Sequence, residues 1–161
     1  MVTSLLPLCP SNDSNFKVLA NHARDHIHRF GTSSTHYKKY FGNATTGEPA
    51  GWFDKIVNGD KAGVLFRCDD PDQNCATQAS WAGHHRGENG TDESVICELS
   101  FTSKMPLAGM CAFGYSVSTH PTTFYFGSDL IHRLYHTNKV SIQKRTSSKR
   151  MLTWFSWVRT W

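Results

Sequence analysis

No apolar run in the 161 residues approaches the roughly 20 residues a membrane-spanning helix needs. No internal repeat is visible, and the charge balance is thin. The formal net charge is +4, and much of the excess lies in residues 142–161, at Lys144, Arg145, Lys149, Arg150 and Arg159. The body is close to neutral, so a nucleic-acid partner gets little support. The opening Met1 to Leu8 is apolar but lacks a basic n-region and a cleavage site, so no signal peptide is evident.

What is present reads as a folded, exported domain. The chain is long enough for one domain with a real core. Its 39% hydrophobic and 19% charged residues place it with globular rather than disordered chains. Five cysteines, Cys9, Cys68, Cys75, Cys97 and Cys111, suggest a secreted protein with disulfides. Three sequons, at Asn12, Asn43 and Asn89, point the same way. A leader is therefore expected upstream of the residues given.

The most informative stretch is Ser128-Asp129-Leu130-Ile131-His132-Arg133-Leu134-Tyr135-His136. Its two histidines are four apart, and on a helix positions i and i+4 share a face. Two imidazoles so placed suit one metal ion, above all zinc. Ser128 is a good N-cap and Asp129 a good first-turn residue; Asp129, His132 and His136 could share that face. The zinc-protease motif has the same spacing with a glutamate after the first histidine as general base. Here that position is Arg133, which stays protonated and cannot take a proton from water. The stretch reads as a metal grip rather than a hydrolase. Two ligands do not fill a tetrahedral site, and a half-buried, hydrogen-bonded histidine pair is the plainer reading of the same spacing.

Upstream the chain reads as helices. Phe16 to Phe30 repeats its apolar residues near a 3.6 period and carries His22, His26 and His28, a pair and a neighbour facing a cleft or solvent. Ser33 or Ser34 caps a short helix through Phe41, and Gly47 to Val57 reads as a third. The period then changes. Gly63 to Cys68 and Val95 to Phe101 read as strands, with a solvated acidic loop from Cys68 to Cys75 whose spacing is not that of a calcium loop. His84 and His85 would point to opposite faces of a strand, so at most one joins a metal site. Residues 142–161 are basic, rich in Ser and Thr, and end in Trp154, Phe155, Trp157 and Trp161 without a clean period.

The ordered motifs Asn21-His22-Ala23-Arg24-Asp25-His26, Tyr40-Phe41-Gly42-Asn43, Gly51-Trp52-Phe53-Asp54-Lys55-Ile56-Val57, Arg67-Cys68-Asp69-Asp70-Pro71-Asp72, Trp81-Ala82-Gly83-His84-His85-Arg86-Gly87-Glu88-Asn89 and Asp129-Leu130-Ile131-His132-Arg133-Leu134-Tyr135-His136 together resemble a fungal family. It is the HRxxH family of secreted zincophores, pH-regulated antigens and related allergens, which is similar to the deuterolysin (aspzincin) metallopeptidases. The resemblance runs from about Cys9 to about Ser141. It implies an α+β, zincin-like (deuterolysin-like) single domain, mainly helical with a small sheet. The chain then divides into an N-terminal segment 1–15, the zincin-like domain 16–141 and a divergent tail 142–161. The tail departs from the family, as if a frameshift or misread exon boundary had replaced the family's last helix.

The resemblance further implies disulfides Cys9–Cys68 and Cys75–Cys97, with Cys111 left unpaired in this chain. It implies His132 and His136 as zinc ligands, with a third ligand expected in the segment the tail replaces; without that ligand the site borrows from Asp129, His84, His85, His22 or His26, or is left open. The implied activity is zinc scavenging outside the cell or at its wall, with delivery to a plasma-membrane importer and binding of host surface or plasma proteins. No catalytic residue is assigned. A zinc metalloendopeptidase, with Glu88 or Asp129 in place of the missing glutamate, is the second reading. A cell-wall or host-factor binding protein with a purely structural histidine pair is the third.

Overall fold

The computed structural model describes residues 13–141, apart from 111, 113, 117, 118 and 122. The described chain is α+β, with α-helices and a three-stranded sheet. The amphipathic first segment forms α1, Asp13–Phe30, and Gly31 in the left-handed region at φ 49° ends it. Ser34 is the cap of α2, Thr35–Phe41, its hydroxyl accepting from the Tyr37 N–H at 3.1 Å. The next helix, α3, spans Gly47–Asn58.

The core follows from the apolar faces of these helices. Phe16 and Ala20 of α1, Trp52 and Ile56 of α3, and Leu130, Leu134 and Tyr135 downstream form one buried cluster with Ile96 and Val140. Trp52 meets the Tyr135 ring edge-on at 5.4 Å between centroids. A smaller cluster of Ile27, Tyr37 and Ala50 closes the other end of α1, and Phe53 packs against both.

The sheet comprises β1, Leu65–Arg67, β2, Gly83–His85, and β3, Glu93–Ile96, with the short helix α4, Asn74–Thr77, between β1 and β2. The order is β1-β3-β2: β1 runs parallel to β3 with Phe66 opposite Ser94, and β2 runs antiparallel with His84 opposite Val95. Ser94, Val95 and Ile96 are all buried, because this central strand is covered on both faces.

Two expectations change. The strand expected over Val95 to Phe101 stops at Ile96; Cys97 caps a helix α5, Glu98–Ser103. Period-2 alternation over seven residues does not separate a strand from a strand followed by one helical turn. Cys97 is fixed by its disulfide to Cys75, and Ser100 must turn inward to reach Asp129. The histidine-bearing helix, α6, spans Phe126–Leu134, so it begins before Ser128. Tyr125 is held extended by a bridge to Met105 and forms the cap; the Ser128 hydroxyl donates back to the Tyr125 carbonyl at 2.8 Å.

The acidic loop also differs from a solvated one. Arg67 binds Asp69 and, at 2.9 Å, Glu93; Arg86 binds Glu93 at 2.7 Å and Asp72 at 2.8 Å. Glu93 thus bridges two guanidinium groups, and the loop is clamped to the sheet. Cys75 and Cys97 form a disulfide with Cα atoms 5.4 Å apart. Cys68 is also disulfide-bonded. Cys9, Cys111 and the tail from residue 142 lie outside the described residues.

Candidate functional site

Helix α6 has two working faces. Asp129, Leu130, Arg133 and Leu134 are buried on one, while His132 is half-buried and His136 exposed on the other. His136 lies just past the last helical residue, in a tightened turn whose N–H donates to the Arg133 carbonyl at 3.1 Å. The Nε2 atoms of His132 and His136 stand 3.3 Å apart, with ring centroids 4.8 Å apart and the planes near perpendicular. Two nitrogens bound to one tetrahedral zinc at about 2.0–2.1 Å lie about 3.3–3.4 Å apart. At such a separation two imidazoles share either a proton or a metal. Burial pushes the His132 pKa down, reinforced by Arg133 and Lys104 and opposed by Asp129. The ring is therefore neutral at neutral pH, the form a metal accepts.

Asp129 faces the interior rather than the histidine pair. Its Oδ2 accepts from Arg133 Nε at 2.7 Å and from the Ser100 hydroxyl at 3.3 Å; its Oδ1 lies 3.9 Å from Lys104 Nζ. Arg133, at the position of the protease glutamate, is buried in this ion pair under β2. The spacing i, i+4 suits Asp129 and Arg133 as well as it suits the two histidines. Ser100 and Lys104 carry no local signal in the sequence that would join them to this group.

The strand alternation parts His84 from His85. The His85 ring lies 6.1 Å from that of His136. Its Nδ1 accepts from the Gly87 N–H at 3.0 Å, and its Nε2 donates to the Thr91 carbonyl at 3.1 Å. His84 is instead bonded through Nε2 to Asp72 at 3.3 Å. On α1, His22 is exposed, and His26 bonds the Ser34 hydroxyl at 2.7 Å beside Phe30 and His36. Among the described residues, no third His, Cys, Asp or Glu ligand atom closes with His132 and His136 into a compact group. Asn43 and Asn89 are exposed; Asn12 lies outside the described residues.

The Arg86 hydrogen bonds hold the Asp72 carboxyl well below its usual range, at about 2, with His84 assisting and burial opposing. A carboxylate depressed from about 3.9 stabilises the fold above that pH, and the contribution is lost as pH falls from about 4 to about 2. Asp69 and Glu93 are shifted in the same direction by the same guanidinium groups. Asp72→Asn is therefore expected to lower stability at neutral pH and to flatten the acid decline. Urea midpoints followed from about pH 5 to about pH 2 check this; an unchanged acid slope would contradict it.

A family model described as "HRXXH: Putative peptidase family" matches residues 13–147. The Major allergen Asp f 2 of Aspergillus fumigatus is 54% identical over 122 residues, 76% of this chain and 39% of the allergen. The pH-regulated antigen PRA1 of Candida albicans is 44% identical over 125 residues, 77% of this chain and 42% of the antigen. Protein ZPS1 of Saccharomyces cerevisiae is 35% identical over 122 residues, 75% of this chain and 48% of that protein. The chain spans less than half the length of the curated relatives it matches. No solved structure matches it.

Proposed function

The chain belongs to the HRXXH family, and from that premise we propose that it is a secreted zinc-binding protein, of metallopeptidase-like zincin ancestry, that captures the ion rather than using it for hydrolysis. The observation that carries this is the 3.3 Å separation of the His132 and His136 Nε2 atoms, the span of two ligands on a tetrahedral zinc. Capture rather than catalysis follows from Arg133. A hydrolytic site needs a base beside the metal-bound water. Arg133 is cationic and turned into the core against Asp129. Glu88, the other carboxylate weighed for that part, is exposed in a 3-10 turn after β2.

Two imidazoles leave the rest of the coordination shell open. His85, whose ring lies 6.1 Å from that of His136, is the candidate to complete it, at the cost of its bonds to Gly87 and Thr91. Relatives named as antigens and an allergen support a place outside the cell or at its wall. No helix among the described residues is long and apolar enough to cross a membrane. A carrier there would pass its zinc to a plasma-membrane importer.

The test is zinc calorimetry at neutral pH on this chain and on His132→Ala/His136→Ala. One-to-one binding should weaken by at least about 100-fold in the double variant, since loss of a mere outer partner costs 10–100-fold. Equal binding by both proteins would overturn the assignment. Peptide hydrolysis by the unaltered chain, abolished by a chelator, would replace carriage with catalysis.

A further inference from the structure

The disulfide end of the sheet contains a second group of metal-ligating atoms, on the face of β2 that points away from the His132–His136 pair. The Cys75 and Cys97 sulfurs and a ring nitrogen of His84 all lie within 4.8 Å of one another. Three segments bring them together: α4 supplies Cys75, the residue after β3 supplies Cys97, and β2 supplies His84. The Cys97 N–H donates to the Ala82 carbonyl at 3.0 Å, which keeps β2 and the end of β3 in register.

The His84 side chain is only 8% exposed, and its Nδ1 is buried without a hydrogen-bond partner. A buried polar atom left so destabilises the fold, and natural folds rarely tolerate one without a reason. The other ring nitrogen, Nε2, faces the Asp72 carboxylate at 3.3 Å. Asp72 is itself held by Arg86 through bonds of 2.8 and 3.0 Å. Metal-bound histidines commonly donate their second N–H to a carboxylate, which fixes the tautomer and the ring. Here that arrangement puts the proton on Nε2 and leaves the Nδ1 lone pair without a protein donor.

We infer that Cys75, Cys97 and His84 form a latent, redox-gated zinc site that opens when the Cys75–Cys97 disulfide is reduced. Two molecules of an external thiol supply the electrons. The Cys75–Cys97 bond breaks, each cysteine gains a hydrogen, and the thiol leaves as its own disulfide. Zinc then displaces the two thiol protons and takes both thiolates and His84 Nδ1, with a fourth position open to water or another ligand. The dication balances the two thiolates, as Arg86 balances Asp72. The chain would hold this ion independently of its histidine pair on α6.

The test uses the whole chain carrying His132→Ala/His136→Ala, so that the α6 pair cannot bind, reduced with a phosphine and titrated with cobalt(II) and then zinc. Thiolate-to-cobalt charge-transfer absorption should appear, be displaced by zinc, and disappear in a chain also carrying Cys75→Ser/Cys97→Ser. His84→Ala should weaken cobalt binding at least tenfold. Alkylation read by mass spectrometry gives a second measure: zinc should protect Cys75 and Cys97, and the protection should fall at least tenfold in His84→Ala. Absorption that persists in the Cys75→Ser/Cys97→Ser chain would assign it to other cysteines and overturn the inference. So would a reduced chain that binds no metal, whether folded or unfolded by circular dichroism, or binding indifferent to His84.

Discussion

Arg133→Met is expected to destabilise the fold by about 3–5 kcal/mol, the usual cost of removing one partner from a buried ion pair. The Arg133 and Asp129 side chains are 8% and 5% exposed, so neither charge can turn to water. The variant leaves Asp129 with the Ser100 hydroxyl and with Lys104 at 3.9 Å, which offsets part of the loss and favours the lower end of the range. Replacing both charges, as Asp129→Leu/Arg133→Met, should recover most of the stability, because well-packed apolar residues often match a buried pair. Arg133→Glu should be worse than Arg133→Met, since it sets a second buried carboxylate beside Asp129. Restoring the protease glutamate is therefore expected to unfold the domain rather than to create a peptidase. Urea denaturation of the four proteins decides the matter. A shift for Arg133→Met within about 0.5 kcal/mol, as for a surface change, would show that the pair does not hold the helix in place.

Gly83→Ala should cost roughly 3 kcal/mol, combining backbone strain with overpacking. Gly83 opens β2 at φ 154°, in a region that residues with a Cβ rarely adopt. An added Cβ would fall on the Val95 carbonyl oxygen and 2.5 Å from Arg133 Nη1. The arginine could yield, but the Val95 oxygen belongs to the central strand and cannot. The penalty should accordingly shrink, without vanishing, in an Arg133→Met background. Thermal melts of the two single variants and the double variant measure that coupling. Full additivity would mean that β2 does not rest on the guanidinium. Because β2 carries both His84 and His85, Gly83→Ala should also disturb each of the two metal-ligating groups proposed above.

The histidine pair was legible because its geometry is local: four residues apart on a helix is enough to bring two rings together. Asp129 was ambiguous for the same reason. It stands between the two faces of α6, three residues from His132 and four from Arg133, and spacing does not say which neighbour it serves. Burial decides, since a carboxylate so enclosed needs the cation beside it. The helices α1, α2 and α3 followed from apolar period, the Ser34 cap and glycine stops. The change from strand to helix at Cys97 did not, because a disulfide and the reach of Ser100 to Asp129 settle it, and both are tertiary. The assembly of Asp72, His84, Cys75 and Cys97 was illegible for a further reason. It joins a loop, a helix, a strand and a cap drawn from positions 72 to 97, and each residue alone has an ordinary explanation.

The sheet order β1-β3-β2 has a consequence for how the chain acquires its shape. The two outer strands precede the central one in the sequence and make no ladder with each other. During synthesis both emerge as orphans, and neither can pair until Glu93–Ile96 has been made and threaded between them. The parallel β1–β3 half closes last in entropic terms, because Leu65 and Glu93 are joined by a long excursion through α4 and β2. The α1–α3 packing needs no such wait and can form while the sheet is still absent. The α1–α3 packing thus closes a shorter stretch of chain than the β1–β3 ladder does. The strand that completes the sheet also delivers Cys97 to Cys75, so strand insertion and cross-linking come due together.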